Sequence, residues 1–338
     1  MADEGASTQK SIPVQMQIWD LAFGFYRTLA MTVAAQLNLA DHLASGPLHV
    51  DELAKRANAH GPSLFRLLRA LETIGIFKQT SPHVFANTPL SEPLGKSFPG
   101  SAQPGFLCIA PGSGQFEAWS GLLESIQTGE VAFDRIYGYT FWEFLKRNPR
   151  QSDEFNQSMA ASRALGAKMM AELYDWSRFP VIADIGGGIG GQLVAILDAN
   201  PKCRGILFDL PEGLQGQVPH ERIEVVAGNF FETVPRGADA YILRTVVHGW
   251  PDDVAVKILK SVRAAMTPAA RLMVIERLLP ETSEPGMSVW MDLHMLVIAG
   301  GRERTATELR ELLRAGGFEV DEIVTTPTGN GLVVARPV

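Results

Sequence analysis

Three titratable residues, His248, Glu276 and Glu303, could act together in proton transfer. His248 follows one predicted strand, Glu276 ends the next, and Glu303 lies in the segment 299–305. Ligands of open α/β sheets bind at the carboxyl ends of the strands, so we expect the three side chains to meet at that edge. An imidazole oriented by a carboxylate is a general base, suited to removing the proton of a phenol, whose pKa is about 10. The alternative is a loop histidine with satisfied hydrogen bonds and two surface carboxylates.

A glycine-rich turn occupies the centre of the segment 179–197, between a strand pattern and a helix pattern. Glycines suit such a turn because they adopt positive φ and let a ligand approach the backbone. The spacing fits both the G-x-G-x-x-G of dinucleotide sites and the D-x-G-x-G-x-G of S-adenosylmethionine (SAM) sites. The residues concerned are Asp184, Gly186, Gly188, Gly190 and Gly191. The glycines alone leave both ligands open, as well as a turn that binds neither.

The elements that follow the turn decide between these ligands. Predicted strands at 181–184, 205–211, 223–227, 238–244 and 271–276 alternate with helices. The second strand carries Asp209 near its end, where a carboxylate can accept both ribose hydroxyls of either ligand. Two final strand patterns, 317–324 and 332–335, flank a turn at 328–331 and predict a β-hairpin, whereas a dehydrogenase would add a second parallel half. We therefore predict an α/β fold with a Rossmann-like sheet of the SAM-methyltransferase type and a C-terminal β-hairpin.

The first hundred residues have a different pattern. Residues 1–11 are polar and are expected to be disordered. Apolar residues at helical spacing predict one long helix from Val14 to Leu39, whose aromatic-rich face suits packing on a partner subunit or on the chain's own core. Two short helices, 50–54 and 63–74, followed by a hairpin predict a winged helix, a fold that serves both DNA binding and assembly.

Charge and composition disfavour a nucleic-acid partner. The 338 residues carry a net charge of −7, whereas a DNA regulator is expected to have a basic face. Arg66 and Arg69 are therefore interpreted as solvated charges rather than phosphate contacts. Cys108 and Cys203 are too few for a disulfide framework or a zinc cluster, and no run of ~18 apolar residues predicts a membrane span. Since the N-terminus also lacks a signal-peptide pattern, we expect a cytoplasmic protein of two domains.

Residues 100–175 are mostly helical in pattern and crowded with bulky apolar side chains. Most such side chains form core, yet aromatic and methionine side chains also suit a flat apolar ligand. The set consists of Phe116, Trp119, Phe133, Tyr137, Phe141, Trp142, Phe144, Phe155, Met159, Met169 and Met170.

Taken together, these motifs resemble the winged-helix-containing, SAM-dependent O-methyltransferases. That family includes plant caffeate and isoflavone enzymes, hydroxyindole O-methyltransferase and bacterial natural-product enzymes. The resemblance covers nearly the whole chain after residue 14, and segments 248–253 and 300–305 together are its most specific part. The other segments that carry it are 39–43, 67–71, 184–188 and 208–211.

The resemblance implies a homodimer formed by a mainly α-helical winged-helix domain, residues 1–103. It implies that residues 104–338 combine a helical substrate-pocket segment with the SAM domain, and that catalysis needs no metal. His248 matches the catalytic base, with Glu276 and Glu303 as the flanking acids. The implied cofactor residues are Asp184, Gly186, Gly188, Asp209, Leu210, Asn229, Phe230 and Arg244. The implied substrate residues are Phe141, Phe155, Met159, His294 and Met295.

Two positions depart from the family pattern. Asn229 stands where an aspartate is common, and its amide oxygen can still accept from the adenine amine, so we expect altered cofactor affinity rather than loss. Gly249 replaces the middle residue of His-Asp-Trp, which removes a side chain beside the base and puts the rigidity of that loop in question.

The sequence thus predicts a methyltransferase that acts on an aromatic hydroxyl of a small natural product. A first alternative is a SAM-binding relative with non-methylating chemistry, such as decarboxylation or hydroxylation; the presence of His248 favours methyl transfer. A second alternative, from another class, is a winged-helix transcriptional regulator.

Overall fold

The computed structural model describes residues 13–282, 284–326 and 330–338. The chain forms two compact units, which divide between Ala110 and Pro111. No helix among the described residues is both long and apolar enough to span a membrane.

The predicted fold class is confirmed, since a helical N-terminal unit precedes an α/β unit with a mostly parallel sheet. The domain limits 1–103 and 104–338 stay a prediction. The expected disorder of residues 1–11 lies outside the described residues, as do Thr328 and Gly329 of the predicted hairpin turn.

In the first unit, helices surround a small antiparallel sheet with the strand order β1-β3-β2. The strands are β1 (Leu48–His49), β2 (Phe77–Ser81) and β3 (Val84–Asn87). The helices are α1 (Val14–Ala22), α2 (Gly24–Gln36), α3 (Leu39–His42), α4 (Val50–Arg56), α5 (Gly61–Glu72) and α6 (Gln103–Cys108). Helices α4 and α5 with the β2–β3 hairpin form the predicted winged helix.

The core of this unit follows from the amphipathic pattern of α5. Leu64, Leu68 and Leu71 recur at helical spacing and are buried, and they share one apolar cluster with Phe77 and Phe85 of the hairpin. Burying such a stripe against a sheet is what stabilises a helix of this length in water.

The single helix predicted from Val14 to Leu39 is wrong. The structure divides this stretch into α1, α2 and α3, with a turn residue at Phe23 and a second break at Asn38. The first break precedes Gly24, a poor helix former, and Asn38 has a φ of 51°, which is incompatible with a continuing right-handed helix.

The N-terminal helices have an apolar face that the rest of the described chain leaves uncovered. No residue of α1 is buried, and Trp19, Phe23 and Tyr26 form a chain of ring contacts in which Phe23 and Tyr26 stack at 5.3 Å. The exposed apolar residues of this face are Val14, Met16, Ile18, Trp19, Leu21, Phe23, Phe25 and Tyr26. An apolar surface of this size on a folded chain marks an interaction site.

The second unit begins with the predicted helical segment. Its helices are α7 (Gln115–Ala118), α8 (Leu122–Thr128), α9 (Ala132–Tyr137), α10 (Phe141–Arg147) and the long α11 (Pro149–Leu173). Phe133 is buried at the centre of an aromatic cluster, where its ring meets Phe141 and Phe144 edge-on at 5.3 and 5.4 Å.

The sheet of the second unit has the strand order β10-β11-β8-β7-β4-β5-β6. The strands are β4 (Val181–Ile185), β5 (Arg204–Asp209), β6 (Ile223–Ala227), β7 (Ala240–Arg244), β8 (Arg271–Leu279), β10 (Phe318–Thr325) and β11 (Asn330–Pro337), and the short β9 (Arg304–Thr305) pairs with β8. Strands β8, β7, β4, β5 and β6 are mutually parallel, and β11 enters antiparallel between β10 and β8. The predicted C-terminal hairpin is confirmed.

Helices cover both faces of this sheet, which explains the continuous apolar runs of its strands. The helices in its two cores include α12 (Gly191–Ala199), α13 (Asp252–Ala265) and α15 (Ala306–Ala315), whereas the buried residues of α14 (Met287–Ile298) pack with the helical segment. In β7, Ala240 and Ile242 pack in the core that includes α12, whereas Tyr241 and Leu243 pack in the core that includes α13 and α15. The strand order reverses at β4, between β5 and β7, so the crevice for a ligand opens at the end of β4.

Candidate active site

The glycine turn lies at this reversal point. β4 ends at Ile185 and α12 begins at Gly191; between them Gly186, Gly188 and Gly190 have φ of 72°, 59° and 86°. L-residues with side chains rarely adopt these values, so the local backbone path requires glycine. The predicted strand–turn–helix arrangement is therefore present.

The turn is also tightly surrounded by side chains. A Cβ added to Gly186 would lie 2.9 Å from Val246 Cγ2, and one added to Gly187 would lie 2.7 Å from Cγ of the buried Asp184. Because Val246 is two residues before His248, the glycine turn and the histidine loop are in direct contact. A ligand on the turn would thus lie next to the loop that bears His248.

Asp209, at the end of β5, is hydrogen-bonded to the turn. Its Oδ2 accepts from the backbone N–H of Gly188 at 2.7 Å, and its Oδ1 accepts from Leu210 N–H at 2.7 Å. These contacts fix the orientation of the carboxylate beside the turn. The predicted ribose acid is thus adjacent to the predicted turn.

The other predicted cofactor residues lie on neighbouring loops. Asn229 stabilises its own turn: its Oδ1 accepts from Phe231 N–H at 3.0 Å and its Nδ2 donates to Glu232. Phe230 approaches the turn, since its ring lies 3.6 Å from the Cβ position of Gly186. Arg244 is buried at the end of β7 and donates to Gln192 of α12, which makes it a support of the helix behind the turn.

The loop that carries His248 begins with a strained residue. Thr245 follows β7 with a φ of 51°, which is costly for a β-branched side chain, and its N–H donates to Ile275 O at 2.9 Å. A 3₁₀ turn, Val247–Gly249, comes next. The sharp change of direction at Thr245 brings the following N–H groups toward β8.

Glu276, in β8, accepts hydrogen bonds from these N–H groups. Its Oε1 lies 3.1, 2.9 and 3.3 Å from the backbone nitrogens of Val246, Val247 and His248. Burial raises the pKa of this carboxyl above its usual range, while the charge of His248 and the N–H groups of His248 and Val246 act in the opposite sense. Glu276 therefore holds the backbone of the loop.

Glu303 holds the histidine ring. Its Oε1 lies 3.0 Å from His248 Nδ1, and its side chain is 1% exposed against 21% for His248. An ionised carboxylate only accepts, so Nδ1 carries the proton and the basic lone pair is on Nε2. The hypothesis that His248, Glu276 and Glu303 meet at the sheet edge is supported, with one acid on the ring and the other on the backbone.

The same three side chains also have the composition of a metal site. Each offers a nitrogen or oxygen atom, and these atoms lie within 4.8 Å of one another, as in a metal site. One oxygen of each acid is engaged, Glu276 Oε1 by backbone N–H groups and Glu303 Oε1 by His248 Nδ1, which favours a hydrogen-bonded unit over a set of ligands that converge on one ion.

Four of the five predicted substrate residues are apolar and lie in the helical segment or in α14. Phe141 is buried in the aromatic cluster, where it meets the ring of the partly buried Phe155 at 5.2 Å. Met159 of α11 and Met295 of α14 are partly buried. Their place in a substrate pocket stays a prediction.

His294, the fifth of these residues, has a specific partner. Trp119 Nε1–H donates to His294 Nδ1 at 3.0 Å, and the two rings stack at 6.0 Å. Desolvation, and secondarily the charge of His248, lower the pKa of His294 to about 4. His294 is therefore neutral near pH 7, with its proton on Nε2.

Sequence reasoning missed three residues of this region. Trp119 was counted only among bulky side chains, Thr245 gave no signal, and Arg304 appeared only as a letter of a family motif. The motif could have indicated a role for Arg304, because it places a second arginine beside Glu303 that a solvent-exposed loop would not require.

Comparisons with known proteins agree with this geometry. The family profile described as the O-methyltransferase domain matches residues 119–319, and that of the O-methyltransferase dimerisation domain matches residues 19–97. The chain is 37% identical to the phenazine O-methyltransferase of Lysobacter antibioticus, over 97% of this chain and 98% of the relative. It is 31% identical to the phenazine-1-carboxylate N-methyltransferase of Pseudomonas aeruginosa, over 92% and 94%.

A solved structure extends the similarity. Human N-acetylserotonin methyltransferase, in complex with SAM, superposes with a TM-score of 0.90 at 25% identity, over 97% of this chain and 99% of that chain. Both the fold and the sequence profiles cover the two units described above. This chain belongs to the family of SAM-dependent O-methyltransferases that carry a dimerisation domain.

Proposed function

We propose that this enzyme methylates an aromatic hydroxyl of a small natural product, with His248 as the general base. The observation that carries the proposal is the 3.0 Å contact between His248 Nδ1 and the buried Glu303, on a loop that contacts the glycine turn. The acceptor hydroxyl would give its proton to Nε2, and Glu303 would stabilise the imidazolium that forms.

The cofactor residues fit SAM on the evidence of their own contacts. Gly186 and Gly188 leave the backbone of the turn open to a ligand, Asp209 is held beside the turn by Gly188 N–H, and Asp184 is a buried acid behind the turn. Leu210, Asn229, Phe230 and Arg244 complete the proposed set. When bound, SAM supplies a methyl group on a positively charged sulfur, which a deprotonated oxygen can accept.

Glu276 would act through the backbone. Its three N–H contacts fix Val246, Val247 and His248 as one unit, so the position of the base depends on a buried carboxyl that does not itself exchange protons with the acceptor. In this division of roles, Glu303 stabilises the positive charge of the imidazolium and Glu276 fixes the backbone position of the loop.

The acceptor would lie among Phe141, Phe155, Met159, His294 and Met295. His294 adds one polar feature to this apolar set: a neutral ring whose Nε2–H points away from Trp119 and for which the described residues provide no partner. We therefore favour acceptors with a carbonyl oxygen or ring nitrogen near the hydroxyl. The name of the Lysobacter relative, a phenazine O-methyltransferase, is consistent with such an acceptor.

The oligomer would be a homodimer. The apolar face of α1 and α2 lies partly within residues 19–97, which match the dimerisation-domain profile. A second copy of the same face would cover it.

The test is methyl transfer to a panel that contains 1-hydroxyphenazine, 1-naphthol and their amino analogues, followed by NMR of the products. We expect O-methylated product, formation unaffected by EDTA, and a loss of about 10²- to 10⁴-fold in kcat for H248A with SAM affinity nearly unchanged. An N-methylated product would contradict O-methylation and indicate an N-methyltransferase activity, as in the name of the Pseudomonas relative. Equal loss of SAM binding in H248A, or abolition by EDTA, would contradict the base mechanism.

A further inference from the structure

We propose that Arg304 is a positioning residue that fixes the backbone on both sides of the catalytic His248. The inference rests on the proposed role of His248 as the base. Arg304 lies in β9, directly after Glu303, and is 4% exposed. Its guanidinium is therefore removed from water and must be satisfied by protein groups.

The contacts of the guanidinium surround the histidine. Nη1 donates to Val247 O at 3.0 Å, the carbonyl just before His248, and Nη2 donates to Trp250 O at 3.0 Å, the carbonyl just after Gly249. The planar, rigid fork of arginine fixes the distance between the two carbonyls. The segment between them contains the base and the glycine that follows it.

Asp252 neutralises the buried charge. Its Oδ1 accepts from Arg304 Nε at 3.0 Å and from Nη2 at 2.7 Å, and it begins helix α13. The carboxylate thus links the guanidinium to a rigid element. Charge-assisted contacts of this kind are shorter and stronger than neutral hydrogen bonds.

The neighbours of Arg304 hold the same loop. Arg302 N–H donates to His248 O at 2.8 Å, and a Cβ added to Gly301 would lie 2.1 Å from that oxygen, so the two backbones pass in direct contact. The segment 300–305 therefore presents Glu303 to the imidazole and Arg304 to the backbone that carries it.

Gly249 makes this support necessary. Glycine gives the backbone after His248 more conformational freedom than a side chain in that position would allow. Its Cβ position is 3.7 Å from Trp142, so the indole lies beside the glycine. A displacement of the base by about 1 Å costs about 10²-fold in rate. Arg304 restrains the loop at the point where the sequence loosens it.

The experiment is amide hydrogen exchange of the loop peptide 246–250 in protein saturated with S-adenosylhomocysteine. R304A is expected to exchange at least tenfold faster in this peptide, with β4 and β7 unchanged. R302A is the matched control: it removes a charge on the other side of Glu303, also near Asp252 (3.8 Å), whereas among the described residues the Arg302 side chain pairs with Glu308 and not with the loop carbonyls. Millimolar guanidinium should restore protection in R304A. This measurement needs no acceptor.

Methyl transfer supplies the second readout. R304A should lower kcat at least tenfold, with KM for the acceptor and affinity for S-adenosylhomocysteine within threefold, and guanidinium should recover part of the loss. If R304A also loses protection in β4 and β7, R304K is measured by the same thresholds, because lysine keeps the charge but cannot span both carbonyls.

Three results would overturn the proposal: unchanged loop exchange, a smaller loss of kcat, or a loss of kcat that parallels the loss of cofactor affinity. Its failure is distinguishable from failure of the base mechanism. If H248A keeps its activity, the base mechanism falls; if H248A is inactive while R304A matches R302A, only the role of Arg304 falls.

Discussion

Trp119 and His294 are 175 positions apart, and the indole Nε1–H of the first donates to Nδ1 of the second at 3.0 Å. The contact joins the helical segment that follows α7 to helix α14. It also fixes which nitrogen of His294 carries the proton. A tryptophan only donates, so the histidine must accept at Nδ1 and remain neutral.

This pair predicts a pH dependence of stability. His294 has a folded pKa of about 4, below the value of 6.5 in the unfolded chain, so the native state binds fewer protons. Stability is full above pH 6.5 and falls as pH decreases toward 4. H294Q keeps an acceptor for Trp119 without titrating, so relative to wild type it should gain about 1–3 kcal/mol between pH 7.5 and pH 4.5. Urea unfolding measures this.

The control for His294 is the exposed His60. H60Q should not reproduce the gain at low pH. An equal gain in both variants would show that general charge effects, rather than the Trp119 contact, cause the change.

Glu276 is expected to change the pH dependence of stability in the direction opposite to His294. Burial raises its folded pKa above 4.5, so the native state binds more protons than the unfolded chain. Its contribution is present below pH 4.5 and is lost as pH rises through the folded pKa. E276Q keeps an oxygen for the three N–H groups and does not ionise, so its stability relative to wild type should increase from pH 4.5 to pH 8. A difference that is flat with pH would contradict the raised pKa.

Glu303 should matter for rate more than for binding. In E303Q the amide oxygen can still accept from His248 Nδ1, but it no longer carries the charge that stabilises the imidazolium. We expect kcat to fall by roughly 10- to 10³-fold with little change in SAM affinity. E311Q, an exposed acid on α15, is the matched control and should keep wild-type kcat. An E303Q variant as active as E311Q would remove Glu303 from the mechanism.

Two glycines of the turn give a matched pair for cofactor binding. G186A places a Cβ at φ 72° and 2.9 Å from Val246, whereas G191A meets nothing within 4 Å at the start of α12. G186A should lose about 1–2 kcal/mol of stability and about tenfold in SAM affinity; G191A should change neither by a comparable amount. Scanning calorimetry measures the stability and titration calorimetry the SAM affinity. Equal effects in the two variants would contradict the requirement for glycine at position 186.

The exposed face of α1 and α2 predicts the assembly. A charged residue at Trp19 should prevent a second copy from covering this face, so W19E should lower the mass in light scattering from about twice 36.8 kDa to about 36.8 kDa. Q15E, an exposed polar position on the same helix, should leave the mass unchanged. A monomeric wild-type protein would exclude this interface.

Local patterns made much of the fold predictable. The strands around Asp184 and Asp209 are short apolar runs bounded by turn residues, and the glycines carry a backbone requirement that is visible in the sequence itself. His248, Glu276 and Glu303 could be placed together because parallel strands end at one edge. Helix α14 was not identified, because its 12 residues are apolar nearly all round and lack a one-sided pattern.

The finer contacts depend on the fold and have no local signature. Glu276 and Glu303 look alike in sequence, and only the path of β8 and β9 decides that one meets the backbone of the loop and the other the ring. The positive φ of Thr245 likewise follows from the surrounding strands, since threonine does not favour it.

The contact between Asp209 and Gly188 has a consequence for the thermodynamics of cofactor binding. Both carboxylate oxygens are already held by backbone N–H groups, so the side chain has lost its rotamer freedom during folding. Immobilising such a side chain at the moment of association would cost about 0.5–1.5 kcal/mol. Here the entropy of this side chain is lost on folding and not on cofactor binding. The ribose would therefore meet a carboxylate that the protein's own backbone already orients.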